Sequence, residues 1–298
     1  MPEKLDQMPD ATKAKAGISA FKRFRRVFFG RKIVIFGLVI ILLLIIAAIF
    51  APFLAPYDPY KQDLDSILIQ PSGEHILGTD ALGRDTLSRV IYGAQVSLIV
   101  GITAIIMAGT IGMALGLIAG YFGRMTYAVI MRCVDALMSL PMMVLVLVIA
   151  AMLGGGLKNV VVALGVSGVA MYARMMCGQT LSLRENDYIM VSRAMGASNL
   201  RIMMRHLLPN CFPPMIVLMT MQMGTMILAE AGLSFLGVGV EPPKAAWGAM
   251  VTDGYRYLFS NPILSFAPGL AVMLVVFAFN MVGDGLRDAL DPRLRGRI

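Results

Sequence analysis

The sequence has few charged residues. Asp, Glu, Lys and Arg together make up 15% of its 298 positions, whereas hydrophobic residues make up 58% and the mean hydropathy is +0.75. A soluble domain carries about 25% charged residues, and a water-soluble fold of this length could not hide so much apolar surface. The composition therefore excludes a soluble enzyme and a disordered chain, and it predicts a membrane protein.

Cysteine and histidine are also scarce. The three cysteines, Cys133, Cys177 and Cys211, lie in or beside apolar stretches. They are too few for a disulfide framework, and we expect them to be buried. The two histidines, His75 and His206, fall in segments predicted to lie on opposite faces of the membrane, so no metal site is expected. The 25 methionines are interpreted as packing residues rather than as soft-metal ligands.

The residue patterns of catalysis are missing as well. The sequence has no G-x-x-x-x-G-K-[ST] pattern and no Gly-Lys dipeptide, so it does not hold ATP phosphates by a P-loop. No Ser/His/Asp or Cys/His set is suggested by spacing. We therefore expect a protein that is not an enzyme and that binds no cofactor, so that any energy from ATP comes from another polypeptide.

Six apolar stretches predict an all-α polytopic membrane protein, because a span needs about 20 apolar residues. They are residues 33–51, 95–120, 128–153, 160–177, 214–236 and 263–282. The first stretch exceeds the apolar run of a signal peptide, and no small-residue cleavage site follows it. These stretches divide the chain into an N-terminal segment (1–32), a first span (33–51), a structured loop on the membrane surface (52–94), a core of five spans (95–285, with long loops at 181–210 and 237–262) and a tail (286–298).

The positive charges predict the orientation. With six spans, 20 of the 26 Lys and Arg residues fall on the side of the N-terminus and 6 on the other side. Cytoplasmic loops collect Lys and Arg, so both termini are predicted to be cytoplasmic. The same bias accounts for the net charge of +8 without a nucleic-acid partner.

The cytoplasmic segment 181–210 is the most informative polar stretch. It reads LSLRENDYIMVSRAMGASNLRIMMRHLLPN and is helix-forming on both sides of a break at Gly196. This pattern predicts two short amphipathic helices joined at the glycine, the second ending before Pro209. Two interpretations stay open from the pattern alone: the helices lie in the membrane interface, or they dock into a cytoplasmic partner with Arg193, Arg201 or Arg205 on the rim.

The spacing from Gly196 to the sequence His206-Leu207-Leu208-Pro209 resembles the coupling loop of the permease subunits of bacterial ABC importers, in particular the peptide-importer branch. The family's Glu-Ala-Ala triplet is Met190-Val191-Ser192 here, so its carboxylate contact is not carried over, and Asp187 is the candidate substitute. The resemblance implies an ATPase-coupling role for the following residues: Asp187, Tyr188, Ser192, Arg193, Ala194, Met195, Gly196, Ala197, Ser198, His206 and Pro209.

Four further stretches, at residues 75–101, 131–141, 229–250 and 279–296, resemble the C-type permease subunit of dipeptide and oligopeptide importers. This resemblance implies the type I ABC importer permease fold in the bacterial inner membrane, and half of a translocation pathway for short peptides. The implied partners are a homologous second permease, two ATPase subunits that bind ATP and Mg²⁺, and an extracytoplasmic substrate-binding protein. Nickel chelates, glutathione or another small solute are the alternative cargo.

A secondary transporter is the more distant alternative. It would carry ion-coupling acids near mid-membrane and an inverted repeat, whereas the sequence offers Glu230 as one well-placed acid and no repeat that is visible by eye. A channel or a structural scaffold would leave segment 181–210 without a purpose.

Further candidate residues lie in the spans and the outer loops. Asp135 is predicted to pair with Arg132, three residues earlier, and a role in the transport pathway is the alternative. Glu230, with Ser234 one turn later, either bonds a neighbouring subunit or lines the pathway and meets a substrate amine. In the resembling family the extracytoplasmic loops meet the binding protein, which implies docking roles for Arg84, Asp85 and Trp247. For Trp247, an interfacial aromatic belt is the alternative.

Overall fold

The computed structural model describes residues 20–290. Parts of the predicted N-terminal segment (1–32) and of the predicted tail (286–298) lie outside these residues. The described chain is helical, without a β-strand, and its only bridge pairs Thr79 with Asp85. Its α-helices are α1 Ala20–Phe29, α2 Lys32–Ile49, α3 Ala51–Leu54, α4 Thr86–Phe122, α5 Arg124–Met138, α6 Met142–Leu153, α7 Leu157–Arg184, α8 Asp187–Ala194, α9 Asn199–Ile202, α10 Leu208–Phe235, α11 Trp247–Tyr255 and α12 Ile263–Leu290.

Five helices within the described residues are long and apolar enough to cross a membrane. They are α2, α4, α7, the continuous helix Asn199–Phe235 and α12. Helices α5 and α6 together form a sixth candidate, but they meet at an angle of 90°. The polytopic all-α prediction is therefore confirmed, with the third predicted span as a bent pair of helices rather than a straight one.

The bend in the third span lies at Ser139–Leu140–Pro141, between α5 and α6. Proline has no N–H for the helical ladder, and it disfavours helical geometry in the residue before it. Helix α4, in contrast, begins nine residues before the predicted start at residue 95. Its polar first turns are stabilised by Asp85, whose carboxylate accepts the N–H of Ser88 at 2.8 Å, as expected of an N-cap.

The prediction that a short helix ends before Pro209 is wrong. Residues Asn199–Phe235 form one helix of 37 residues, in which Met203–Leu207 is a π-helical turn, and the N–H of Leu208 bonds the carbonyl of Met203. The wider π turn lies just before Leu208 and Pro209. It leaves room for the proline ring, which would otherwise clash with the preceding turn of the helix. The end of segment 181–210 and the fifth span are therefore one continuous element.

Helices α4 and α7 share the most extensive contact among the described helices. A Cβ atom at Gly112 would lie 2.6 Å from the carbonyl oxygen of Val169, and one at Gly120 would lie 2.7 Å from Cβ of Thr180. Such distances exclude any side chain larger than hydrogen. The glycines spaced along α4 thus allow backbone-to-backbone packing, as small residues do between membrane helices.

The prediction of buried cysteines holds for two of the three residues. Cys177 and Cys211 are buried, whereas Cys133 is exposed. Helix α5 buries only Val134, because it packs against α4 and α7 along a narrow stripe and leaves its other faces open. Cys133 falls on one of those open faces.

Candidate functional site

Segment 181–210 contains a well-formed turn at Gly196. Helix α8 ends there with Gly196 at φ +80°. The N–H of Gly196 bonds the carbonyl of Arg193 at 3.0 Å, and the N–H of Ala197 bonds that of Ser192 at 3.1 Å. This pair of bonds is the Schellman motif, which places a glycine in the left-handed region. A Cβ atom at Gly196 would meet nothing within 4 Å, so the backbone conformation, not the available space, requires glycine.

Helix α9 begins immediately after this turn. The Ser198 hydroxyl accepts the N–H of Arg201 at 3.4 Å, which makes Ser198 its N-cap. Asn199 Oδ1 accepts a hydrogen bond of 2.7 Å from the Tyr121 hydroxyl at the end of α4. The guanidinium carbon of Arg193 lies 5.6 Å from the centre of the same tyrosine ring, a cation–π distance.

One face of the segment is anchored in the bundle. Ile189 is 1% exposed, and Ile202 and Leu207 are completely buried. All three join an apolar cluster that includes Tyr172 and Met176 of α7. Because these side chains are inside the protein, the segment is packed against helix α7 rather than free to move as a loop.

The opposite face exposes large apolar side chains. We call the following six residues the contact face: Tyr188, Met190, Val191, Met195, Leu200 and Met204. Met195, beside the turn, is 82% exposed. A cluster of exposed apolar side chains on an anchored element marks a surface that a partner or a membrane covers.

The remaining predicted coupling residues lie close to this face. Asp187 is exposed in the first turn of α8, and Ala194 is exposed at its end. The His206 ring lies 6.4 Å from the Tyr188 ring, so α8 and the π turn approach each other there. Pro209 is exposed and lines a cavity of about 740 Å³ together with Gln179 of α7 and Arg287 of α12.

Asp135 does form an ion pair, but the predicted partner is wrong. Its carboxylate pairs with Arg174 on the neighbouring helix α7, not with Arg132. The two side chains are 51% and 48% exposed. They line a cavity of about 560 Å³ that Arg132 and Tyr127 also border. The pair thus joins α5 to α7, which a search within one helix could not reveal.

Glu230 is completely buried in α10. Its Oε1 accepts a hydrogen bond of 2.8 Å from the Ser234 hydroxyl, and the Ser234 Oγ accepts the N–H of Val240 at 3.2 Å. In this conformation, the carboxylate therefore neither lines an open cavity nor reaches a neighbouring subunit. It holds the end of α10 to the loop that follows.

The three predicted docking residues are buried: Arg84 is 6% exposed, Asp85 3% and Trp247 2%. Arg84 Nε donates to Asp80 at 2.7 Å, and Trp247 Nε1 donates to the carbonyl of Val90 at 2.9 Å. These side chains are therefore not exposed for docking in this conformation, and their docking role stays a prediction. They instead hold the loop 58–85 and helix α11 against α4.

Sequence reasoning did not anticipate the contact between His75 and Asp85. His75 Nδ1 lies 2.9 Å from Asp85 Oδ1, and the His75 ring lies 4.6 Å from that of Tyr57. The sequence Asp85-Thr86-Leu87-Ser88 carries an N-cap signal that could have assigned Asp85 this structural role.

Comparison with solved structures supports the fold. The inward-facing MetNI methionine ABC transporter has a chain that is 21% identical, with a TM-score of 0.56, covering 69% of this chain and 98% of that chain. The described helices thus have the type I ABC importer permease fold.

Comparison of sequences identifies the family. Residues 112–296 match the family described as "binding-protein-dependent transport system inner membrane component", and residues 19–71 match the N-terminal transmembrane domain of oligopeptide transport permease C. The chain belongs to this family of multi-pass inner-membrane transport components, which are not themselves enzymes.

Individual relatives match over almost their whole length. A dipeptide transport system permease of Alkalihalophilus pseudofirmus is 42% identical over 276 residues, which are 93% of this chain and 90% of the relative. A di/tripeptide transport system permease of Pseudomonas aeruginosa is 40% identical over 283 residues, 93% of each chain. A glutathione transport system permease of Escherichia coli is 41% identical over 277 residues, 93% of this chain and 90% of the relative.

Proposed function

We propose that this chain forms half of the pathway by which an ABC importer carries short peptides across the inner membrane. The names of the dipeptide and di/tripeptide relatives support a peptide cargo. The glutathione permease among the relatives supports the alternative of a different small solute within the same kind of importer. The complete transporter would contain a homologous second permease, two ATPase subunits and an extracytoplasmic substrate-binding protein.

The contact face carries the proposal. Its exposed apolar side chains lie on helices α8 and α9, on the turn between them and on the π turn, and this segment is anchored by Ile189 and Ile202. An apolar surface on a fixed support suits insertion into a cleft of another protein, where preorganisation lowers the cost of binding. We assign that cleft to the ATPase subunits, which would bind ATP and Mg²⁺ in place of this chain.

The continuous helix Asn199–Phe235 explains how such a contact could drive transport. When ATP draws the two ATPase subunits together, their clefts would displace the contact face. Because α9 continues into α10 through the π turn, the displacement reaches the fifth span directly. A bundle with two arrangements that differ by a few kcal/mol can be switched in this way between inward-facing and outward-facing states.

The orientation follows from the same assignment. The ATPase subunits are cytoplasmic, so segment 181–210 and both chain termini would lie on the cytoplasmic side. The loop 58–85 and helix α11 would then face the binding protein. This arrangement agrees with the distribution of Lys and Arg along the sequence.

The test is a matched pair of substitutions in the transporter purified from membranes. Met195→Asp places a charge on the contact face. Leu64→Asp places a charge in the loop 58–85, where Leu64 is 69% exposed. We expect Met195→Asp to lose the ATPase subunits and the peptide-stimulated ATP hydrolysis, and Leu64→Asp to keep both. Peptide uptake driven by an ion gradient, without ATPase subunits, would contradict the proposal.

A further inference from the structure

A small cavity lined by both charged and apolar residues lies at the end of the bundle where the loop 58–85 meets α11 and α12. Its volume is about 220 Å³, and we call it the arginine pocket. The residues that matter for its chemistry are Arg84, Thr86, Arg89, Asp253, Arg256 and Tyr257.

The arginine pocket presents hydrogen-bond donors without partners. Arg84 is 6% exposed and Thr86 is 1% exposed. Arg84 donates to Asp80 through Nε, and no hydrogen bond among the described residues uses its two terminal amino groups. These amino groups are therefore available to an anion in the cavity, whereas Asp80, which also lines it, accepts from Nε.

The other charges of the pocket refine the ligand. Arg89, 4% exposed, donates through Nη1 to the carbonyl of Pro59 at 3.0 Å. Its Nε lies 3.5 Å from Asp80, which also pairs with Arg84, so this wall holds two arginines against one carboxylate. Arg256 and Asp253 are exposed at the mouth, and no ion pair within the described residues uses either. A ligand that carries an anionic and a cationic group side by side matches this arrangement.

An apolar groove adjoins the arginine pocket. It has a volume of about 440 Å³ and is lined by Leu258, Ser265, Phe266, Gly269, Leu270 and Met273. The two cavities are bordered by consecutive residues: Tyr257 and Leu264 line the pocket, and Leu258 and Ser265 line the groove. From Ser265 to Met273 the groove follows α12 for about 12 Å, within the roughly 15 Å of one leaflet's hydrocarbon.

The aromatic side chains around the groove are those of a membrane interface. Phe259 is fully exposed, and Tyr255 and Phe266 are each 66% exposed. Such rings are stable at headgroup depth, where one side meets lipid tails and the other meets water. These residue types favour a position of the arginine pocket near lipid headgroups, with the groove extending along α12 toward the tails.

We propose that the arginine pocket and the groove together bind one phospholipid with a phosphate and an ammonium in its headgroup, as in phosphatidylethanolamine. The phosphate accepts from the terminal amino groups of Arg84 and from Arg256, because arginine donors suit phosphate oxygens. The ammonium lies beside Asp253, and one acyl chain fills the groove along α12. The lipid thereby connects the loop 58–85 to helices α11 and α12.

The test compares variants of the assembled transporter, purified with its subunits and analysed by native mass spectrometry. A Cβ atom at Gly269 would be 3.9 Å from Val251 Cγ2, so Gly269→Ala fits, whereas Gly269→Phe fills the groove. Arg256→Gln removes a phosphate contact, and Lys61→Gln removes an exposed cation elsewhere on the same side. We expect wild type, Gly269→Ala and Lys61→Gln to retain phosphatidylethanolamine. Gly269→Phe and Arg256→Gln should retain roughly tenfold less, the scale of one lost charge-assisted hydrogen bond.

Three outcomes would overturn the proposal. If Gly269→Phe retains the lipid, the acyl chain is elsewhere. If Gly269→Phe or Arg256→Gln loses the second permease instead, the cavities form a subunit interface. If inorganic phosphate alone stabilises the delipidated transporter against heat, and equally in Gly269→Phe, the pocket is a site for a free anion. Each outcome is independent of the cargo, so a wrong assignment of peptide transport would not affect the test.

Discussion

The hydroxyl of Tyr121, at the end of α4, donates a hydrogen bond of 2.7 Å to Oδ1 of Asn199, the first residue of α9. The same ring lies beneath the guanidinium of Arg193, at the end of α8. One side chain thus contacts the helices on both sides of the Gly196 turn. It fixes the position of the contact face relative to the bundle.

Replacing Tyr121 with Phe removes this hydrogen bond and keeps the ring beneath Arg193. We expect a loss of about 1 kcal/mol in local stability. We also expect fewer peptides imported per ATP hydrolysed, because the contact face is held less firmly against the bundle. Tyr127→Phe is the matched control, since Tyr127 lies on α5 and its hydroxyl makes no hydrogen bond among the described residues. The measurement is uptake and ATP hydrolysis in the same proteoliposomes. Equal ratios in the two variants would refute the role of Tyr121.

Gly196→Val forces a β-branched residue to adopt φ +80°. The backbone strain is about 1–2 kcal/mol or more, so the turn should open while insertion into the membrane stays normal. We expect ATP hydrolysis to continue with little uptake. Gly196→Asn is the control, because asparagine tolerates the left-handed region. Normal transport by the valine variant would count heavily against a mechanical role for segment 181–210.

The Asp135–Arg174 pair provides a test of the pathway. Because both side chains are about half exposed, the pair contributes only about 0–1 kcal/mol to stability. We therefore expect Arg174→Gln to leave thermal unfolding nearly unchanged but to reduce uptake, and the double exchange Asp135→Arg with Arg174→Asp to restore it partly. Arg132→Gln, which lines the same cavity, should leave uptake intact. An unchanged uptake in Arg174→Gln would show that the pair has no part in transport.

Asp85→Ala distinguishes a structural role from a docking role. The substitution removes the cap of α4 and the contact with His75, and a lost N-cap costs about 1 kcal/mol. We expect a lower unfolding temperature, with the affinity for the substrate-binding protein unchanged in the fraction that remains folded. Asp63 is exposed in the same loop, and its carboxylate accepts the N–H of Asp65. Asp63→Ala should change neither the unfolding temperature nor the affinity for the binding protein. A weaker affinity at unchanged stability would instead support docking through Asp85.

The sequence was sufficient for features that depend on local pattern. Hydropathy located the spans, and Gly196 marked the turn between α8 and α9. Features that depend on contacts between helices were not accessible. Asp135 pairs with Arg174, 39 positions away, whereas the spacing along the sequence had indicated Arg132. Tryptophan is common at membrane interfaces, yet the indole N–H of Trp247 donates to the carbonyl of Val90, 157 positions away.

Pro141 and Pro209 show how one residue type can have opposite effects. Pro141 is the N-cap of α6, and the chain turns by 90° between α5 and α6. Pro209 lies within a continuous helix, because the π turn before it provides the space that its ring needs. The outcome depends on the packing of the neighbouring turns: Leu207 is completely buried before Pro209, whereas the residues before Pro141 are exposed.

The helix Asn199–Phe235 has a consequence for leakage. Its first residue bonds Tyr121, and near its other end Ser234 holds Val240 in the following loop. Under the proposed function, a helix that tilts as one body would couple opening on one side of the membrane to closing on the other. A passage open at both ends, through which ions would dissipate the membrane potential, would then require this helix to break.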